Sequence, residues 1–118
     1  MNKNSIFPNK IKILGHVYFI NASNNALAMR VLEPRGGDPH VGYSHWETAT
    51  IFIDNRKTKP EQFQIFLHEL LHVIHYLVLN GDLLDEEKEE MVVNLFATGL
   101  TAVSVDNKGL WTNILAQV

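Results

Sequence analysis

No cysteine occurs anywhere in the 118 residues. That excludes disulfides and thiolate metal sites, and it fits a reducing cytoplasm as the expected compartment. Positive charge is sparse too: ten Lys and Arg stand against thirteen acids, for a net charge of −3 with the histidines neutral. The only basic cluster is Arg56-Lys57-Thr58-Lys59. Nucleic acid is therefore not an expected partner, because such binding rests on clustered positive charge. The N-terminal stretch from Met1 to Pro8 has no apolar core of signal-peptide length. The most apolar segment is interrupted by His68, Glu69, His72 and His75, which makes it a poor membrane span. Repeats and low-complexity tracts are also missing. What remains is an ordinary globular composition, 46% apolar and 19% charged, in one domain over 1–118. A chain of that size buries about two thirds of its unfolded surface.

Within this plain background one stretch stands out, His68-Glu69-Leu70-Leu71-His72. Residues four apart on a helix lie one above the other. His68 and His72 can each present a ring nitrogen to a single ion about 2.0–2.1 Å away. Glu69 is turned about 100° from His68, so it flanks the ion as a general base for an activated water. Chance alone produces the pattern in roughly one shuffle in fifty, so its surroundings must carry the reading. Thr58-Lys59-Pro60-Glu61 has the form of a capping box with Pro in the first turn. Apolar residues then recur with helical spacing from Phe63 to Leu79, and Asn80-Gly81 stops the helix. Two His and a Glu on one turn of such a helix are costly to bury without a partner, and a metal supplies one.

A catalytic zinc site needs a third protein ligand. His75 lies about 10.5 Å along the axis from His68, too far to share an ion comfortably. The next segment offers better candidates. Asp85 reads as the N-cap of a second helix with Glu86 and Glu87 in its first turn. Met91, Val92, Leu95, Phe96, Gly99, Leu100 and Val103 mark its expected apolar face. Glu86, Glu90 and Asn94 form a stripe at four-residue steps. Glu90 is the favoured third ligand, with Glu89 and Glu86 as alternatives, and Asn94 is expected to hydrogen-bond a ligand.

The segments 66–72 and 90–97 together resemble the small gluzincin-type metallopeptidases. More closely, they resemble the short HExxH proteins of phages and prophages related to the ImmA/IrrE peptidases. Strand-like Thr50-Ile51-Phe52-Ile53-Asp54 ahead of the motif helix adds to the likeness, which covers roughly residues 42–100. Leu71 stands where that family generally has Gly. The resemblance implies a zinc-dependent peptidase with a Glu ligand from the following helix, working in a bacterial or phage-infected cell.

Elsewhere the pattern predicts strands before helices. Residues 10–21 read as a strand with Ile11, Ile13, Val17 and Phe19 on one face. Residues 26–32 are ambiguous between helix and strand, and 33–40 form a breaker-rich loop. Residues 43–46 and 50–54 read as a hairpin, and either strand is a candidate to hold an extended peptide. Leu110, Trp111, Ile114 and Leu115 suggest a short final helix packed back on the core. The expected fold is α+β: a small antiparallel sheet on the motif helix, a Glu-bearing helix and a short C-terminal helix. His45, His40 and Tyr76 are possible neighbours of the cleft, each also explicable as an ordinary surface or core residue. The expected activity is hydrolysis of a peptide bond in a peptide or protein substrate, with Zn2+ held by His68, His72 and Glu90 and Glu69 as base. The alternative is a non-catalytic, metal-stabilised binding module of phage or mobile-element origin, acting on a host or regulatory protein. Oligomeric state is not readable from the sequence.

Overall fold

Four short strands come first in the chain: β1 (Lys10–Ile13), β2 (His16–Ala22), β3 (Gly42–His45) and β4 (Thr50–Ile53). Three helices follow: α1 (Lys59–Leu79), α2 (Glu86–Asp106) and α3 (Leu110–Leu115). These elements are those of a computed structural model that describes residues 5–23, 42–80 and 82–118. The fold is α+β. The expectations for 26–32 and 33–40, including His40, lie outside the described residues.

Residues 10–21, expected as one strand, fold instead as a hairpin. Leu14 and Gly15 both take positive φ (49° and 84°), the two-residue turn whose twist matches the flanking strands. Ile13 pairs with His16 and Ile11 with Tyr18. The turn reverses which residues of the second half face inward. Tyr18 and Ala22 are buried, while Val17 and Phe19, expected inside, are exposed on the opposite face.

The sheet has the order β1-β2-β4-β3 and is mixed. β1–β2 and β3–β4 are antiparallel, but β2 and β4 run parallel, so the expected all-antiparallel sheet is corrected. A parallel pair needs a connection of a dozen residues or more, which the stretch 23–49 is long enough to provide. As a consequence β4 is interior, paired on both sides, and cannot accept a further strand. β3, at the end of the order, is the candidate edge.

The core lies between the sheet and α1. Ile51 and Ile53 of β4 and Val73 of α1 are fully buried, joined by Ile13, Tyr18, Ala22 and Ile65. Phe7 closes one end against Phe66, with ring centroids 5.2 Å apart. Each such buried aliphatic contributes about 1.5–3 kcal/mol. The far side of α1 packs on α2, so α1 is the middle layer, and that is why it is apolar nearly all round.

Both helices start at residues suited to the task. Thr58 Oγ1 accepts from Glu61 N–H while the Glu61 carboxylate accepts from Thr58 N–H, a complete capping box. Just upstream, buried Asp54 accepts from Arg56 N–H (3.0 Å), Nε (2.9 Å) and Nη2 (2.8 Å), which closes the corner between β4 and α1. These bonds hold the Asp54 carboxyl below its ordinary pKa against the opposing effect of burial. Asn80 ends α1 in the left-handed conformation (φ 52°). Asp85 caps α2 by accepting from Lys88 N–H at 2.9 Å.

The burial of α2 departs from expectation. Its covered stripe is Val93, Ala97 and Thr101, while Met91, Leu95 and Phe96 are 65%, 69% and 53% exposed. Small side chains let two helix axes approach closely, and they face α1. The last helix departs too. α3 buries none of its residues and is tied to α2 by Trp111 Nε1–H donating to Ser104 Oγ at 2.8 Å. Among the described residues, no helix is long and apolar enough to cross a membrane.

Candidate metal centre

His68 and His72 sit one turn apart on α1, facing α2. Their Nε2 atoms are 3.1 Å apart. The Glu90 carboxylate of α2 straddles them, with Oε1 2.8 Å from His68 Nε2 and Oε2 3.1 Å from His72 Nε2. One donor atom from each of the three residues falls within 4.8 Å of the others, the group among the described residues that could hold a metal ion. Zinc bonds of about 2.0–2.1 Å in a tetrahedral arrangement separate ligand atoms by about 3.3 Å. The observed triangle is close to that, slightly contracted. The donor set of two imidazoles and a carboxylate also suits zinc. Of the three glutamates weighed as third ligand, Glu90 is the one brought to both histidines.

The surroundings of His68 favour a neutral, lone-pair-bearing ring. Burial pushes the His68 pKa below its usual range, and the neighbouring His72 ring pushes the same way. Glu90 and a hydrogen bond from the His68 ring to the Asn94 side chain act in the opposite sense. Asn94 thus contacts one of the three candidate ligands from one turn beyond Glu90. A metal ligand must be the neutral imidazole, so the net direction suits the role.

Glu89 has a different position from Glu90. Its Oε2 lies 2.5 Å from His72 Nδ1, on the side of the ring away from the donor triangle. A carboxylate there keeps the proton on Nδ1 and leaves Nε2 with its lone pair turned towards the triangle. The other Glu89 oxygen, Oε1, is 2.9 Å from His75 Nδ1. His75 Nε2 in turn accepts from the backbone N–H of Leu84 at 3.2 Å. His75 is therefore committed to the α1–α2 connection, with neither nitrogen aimed at the triangle. Glu86 and Glu87 are exposed in the first turn of α2.

Glu69 occupies the neighbouring face of α1, turned to the sheet. It is 8% exposed, and its Oε1 accepts from Ser44 Oγ of β3 at 2.6 Å. Gly42 makes this approach possible. A Cβ at that position would fall 2.6 Å from Ile65 Cγ2 and 2.7 Å from Phe52 O. Only glycine lets β3 come this near to α1. Tyr43 points to the opposite side of the sheet and stacks on Phe52 at 4.8 Å. Ser44 was not among the expected site residues. The signal for it was present: small Gly42 and Ser44 alternate with large Tyr43, as a strand does when one face is closely covered.

The remaining candidates are held elsewhere. His45 Nδ1 is 2.7 Å from Thr48 Oγ1, inside the β3–β4 turn. Tyr76 is not in the core; it is 38% exposed and stacks on Trp46 with centroids 4.5 Å apart. That pair joins the hairpin to α1 one turn beyond His72. Comparison with protein-family models, with curated proteins and with solved structures finds no match for this chain.

Proposed function

We propose that this protein is a zinc-dependent peptidase, built on a minimal His-Glu-x-x-His helix and a Glu-bearing partner helix. The observation that carries the reading is the triangle of His68 Nε2, His72 Nε2 and the Glu90 carboxylate, at ligand-to-ligand spacing. A divalent ion held there supplies Lewis acidity towards a carbonyl and acidifies a water. The chain's own groups do the rest. Glu89 fixes the His72 tautomer, and Asn94 steadies the His68 ring. Glu69, on the adjacent face of the same turn, takes the proton from the attacking water and returns it to the leaving amine. Ser44 orients the Glu69 carboxylate. β3, at the end of the sheet order, aligns an extended peptide by main-chain pairing. The resemblance to ImmA/IrrE-like phage and prophage proteins supports the same class, and the cysteine-free chain suits work in the cytoplasm.

Metal content and a peptide-library cleavage assay test this together. Wild type should carry close to one equivalent of zinc and cleave. Glu69→Gln should keep the zinc and lose cleavage. Negligible zinc in wild type, His68→Ala and His72→Ala alike, after growth in zinc-replete medium, overturns the metal site. Loss of zinc in Glu69→Gln overturns the assignment of Glu69 as base.

A second reading is a non-catalytic binding module stabilised by the same metal and acting on a host or regulatory protein. The buried, hydrogen-bonded state of Glu69 and the apolar outer surface of α2 favour it. In that case zinc is present, no peptide is cleaved, and Glu69→Gln leaves partner binding intact.

A further inference from the structure

From Met91 to Val105 the chain contains no charged residue. Among the described residues, α1 covers the side of this part of α2 that carries Val93, Ala97 and Thr101. The opposite side carries Met91, Val92, Leu95, Phe96 and Val103, between 37% and 69% exposed. Those five side chains leave roughly 500 Å² of apolar surface in water, near the top of the range for the largest patch on a monomer. A helix apolar all round is normally covered all round. Two such faces together reach the about 1,000 Å² that separates a biological interface from an incidental one.

We propose that α2 pairs with α2 of a second copy of this chain, antiparallel, about a two-fold axis level with Ala97. The sequence of the exposed face is self-complementary in that register. Leu95 of one copy meets Gly99 of the other, where open space lies above the Cα. Val92 meets Ala102, and Met91 meets Val103, so larger side chains lie over smaller ones on both sides of the axis. At the two ends Lys88 meets Asp106. Both are exposed and both lie on the outward line of the helix: Asp106 directly follows the uncharged stretch, and Lys88 precedes Glu89 and Glu90, which are turned to the histidines of α1. A two-fold axis repeats every contact, so each dimer has two Lys88–Asp106 pairs. Antiparallel helices also oppose their dipoles. Glu89 and Glu90 turn towards α1, so the pairing leaves the candidate metal centre uncovered and does not depend on it.

Sedimentation velocity on the full chain over a concentration series in zinc-containing buffer reads the dimer directly. Wild type should be dimeric, with Leu95→Glu raising the dissociation constant at least tenfold while circular dichroism and melting of the monomer stay unchanged. Lys88→Asp should weaken the dimer by roughly three- to tenfold. The exchanged variant Lys88→Asp with Asp106→Lys should restore it, which only this register does. A wild type monomeric at every accessible concentration overturns the proposal. So does a dimer indifferent to Leu95→Glu, an open-ended assembly, or an exchanged variant no tighter than Lys88→Asp alone.

Discussion

α1 and α2 have the same length, both begin at a side-chain cap, and both are rich in apolar residues, yet they are buried in different ways. α1 lies between the sheet and α2, with fully buried Val73 on the sheet side of the rod and His68 and His72 turned to the glutamates of α2. α2 touches α1 along Val93, Ala97 and Thr101, and its larger apolar residues face water. The rotation of α2 is set by two demands that only one orientation meets. Glu89 and Glu90 must reach His72 and His68, and a line of small residues must let the axes close up. Apolar content says that a helix will be covered; it does not say which side is covered first, or by what.

The largest test of that rotation is to remove the groups that enforce it. His68→Ala and His72→Ala should each lower zinc affinity by at least a hundredfold, and Glu90→Ala by at least tenfold, read by competitive titration with a chelating dye. Glu87→Ala, on the exposed first turn, should leave affinity unchanged. Zinc should also raise the melting temperature of wild type in a concentration-dependent way, an effect absent from the histidine variants.

Core truncation should separate the two helices next. Ile65→Ala, on the sheet side of α1, should cost about 2–4 kcal/mol in urea unfolding. Leu95→Ala, on the outer side of α2, should change monomer stability by no more than about 0.5 kcal/mol. A comparable loss at both positions would mean that the outer face of α2 is covered within the monomer.

The starts of the helices differ as well, and on a smaller scale. α1 is preceded by the Asp54–Arg56 corner, for which α2 has no counterpart among the described residues. Asp54→Ala should cost about 1–3 kcal/mol, because it removes an ionised acceptor of three hydrogen bonds at the corner between β4 and α1. The folded-state pKa of Asp54 lies below its unfolded value, so its contribution is complete above the ordinary carboxylate range near about 3.9. It is lost as pH falls through the depressed folded value, so wild type should lose part of its stability below about pH 4. Asp54→Asn should be less stable at neutral pH and show a shallower decline in acid.

The smallest effects belong to the caps themselves. Thr58→Ala removes a reciprocal box and Asp85→Ala a single acceptor, so each should cost about 1 kcal/mol, the first slightly more.

Much of α1 was legible in the chain, because every signal for it is local. Thr58, Pro60, Glu61 and Asn80 act within one turn of themselves, and a four-residue step puts His68 above His72 whatever surrounds them. The hairpin at 43–53 was legible for the same reason. The turn at Leu14-Gly15 was missed because Leu is an uncommon residue at positive φ, and the alternation of apolar residues continues across it. The parallel contact of β2 with β4 was beyond reach, since it joins segments separated by the stretch 23–49 and leaves no periodic mark on either.

The sequence by itself determined a capped helix with two histidines on one line and an acid beside them, and a later helix with acids in its first turns. Only the tertiary structure decided which glutamate meets the histidines, that Glu89 stands behind His72, and that Ser44 reaches Glu69. Each of those depends on the rotation and approach of one rigid element against another. Local sequence settles the inside of an element, but its orientation is chosen by the joint packing of Val93, Ala97 and Thr101 on α1 and of Gly42 beneath Ile65.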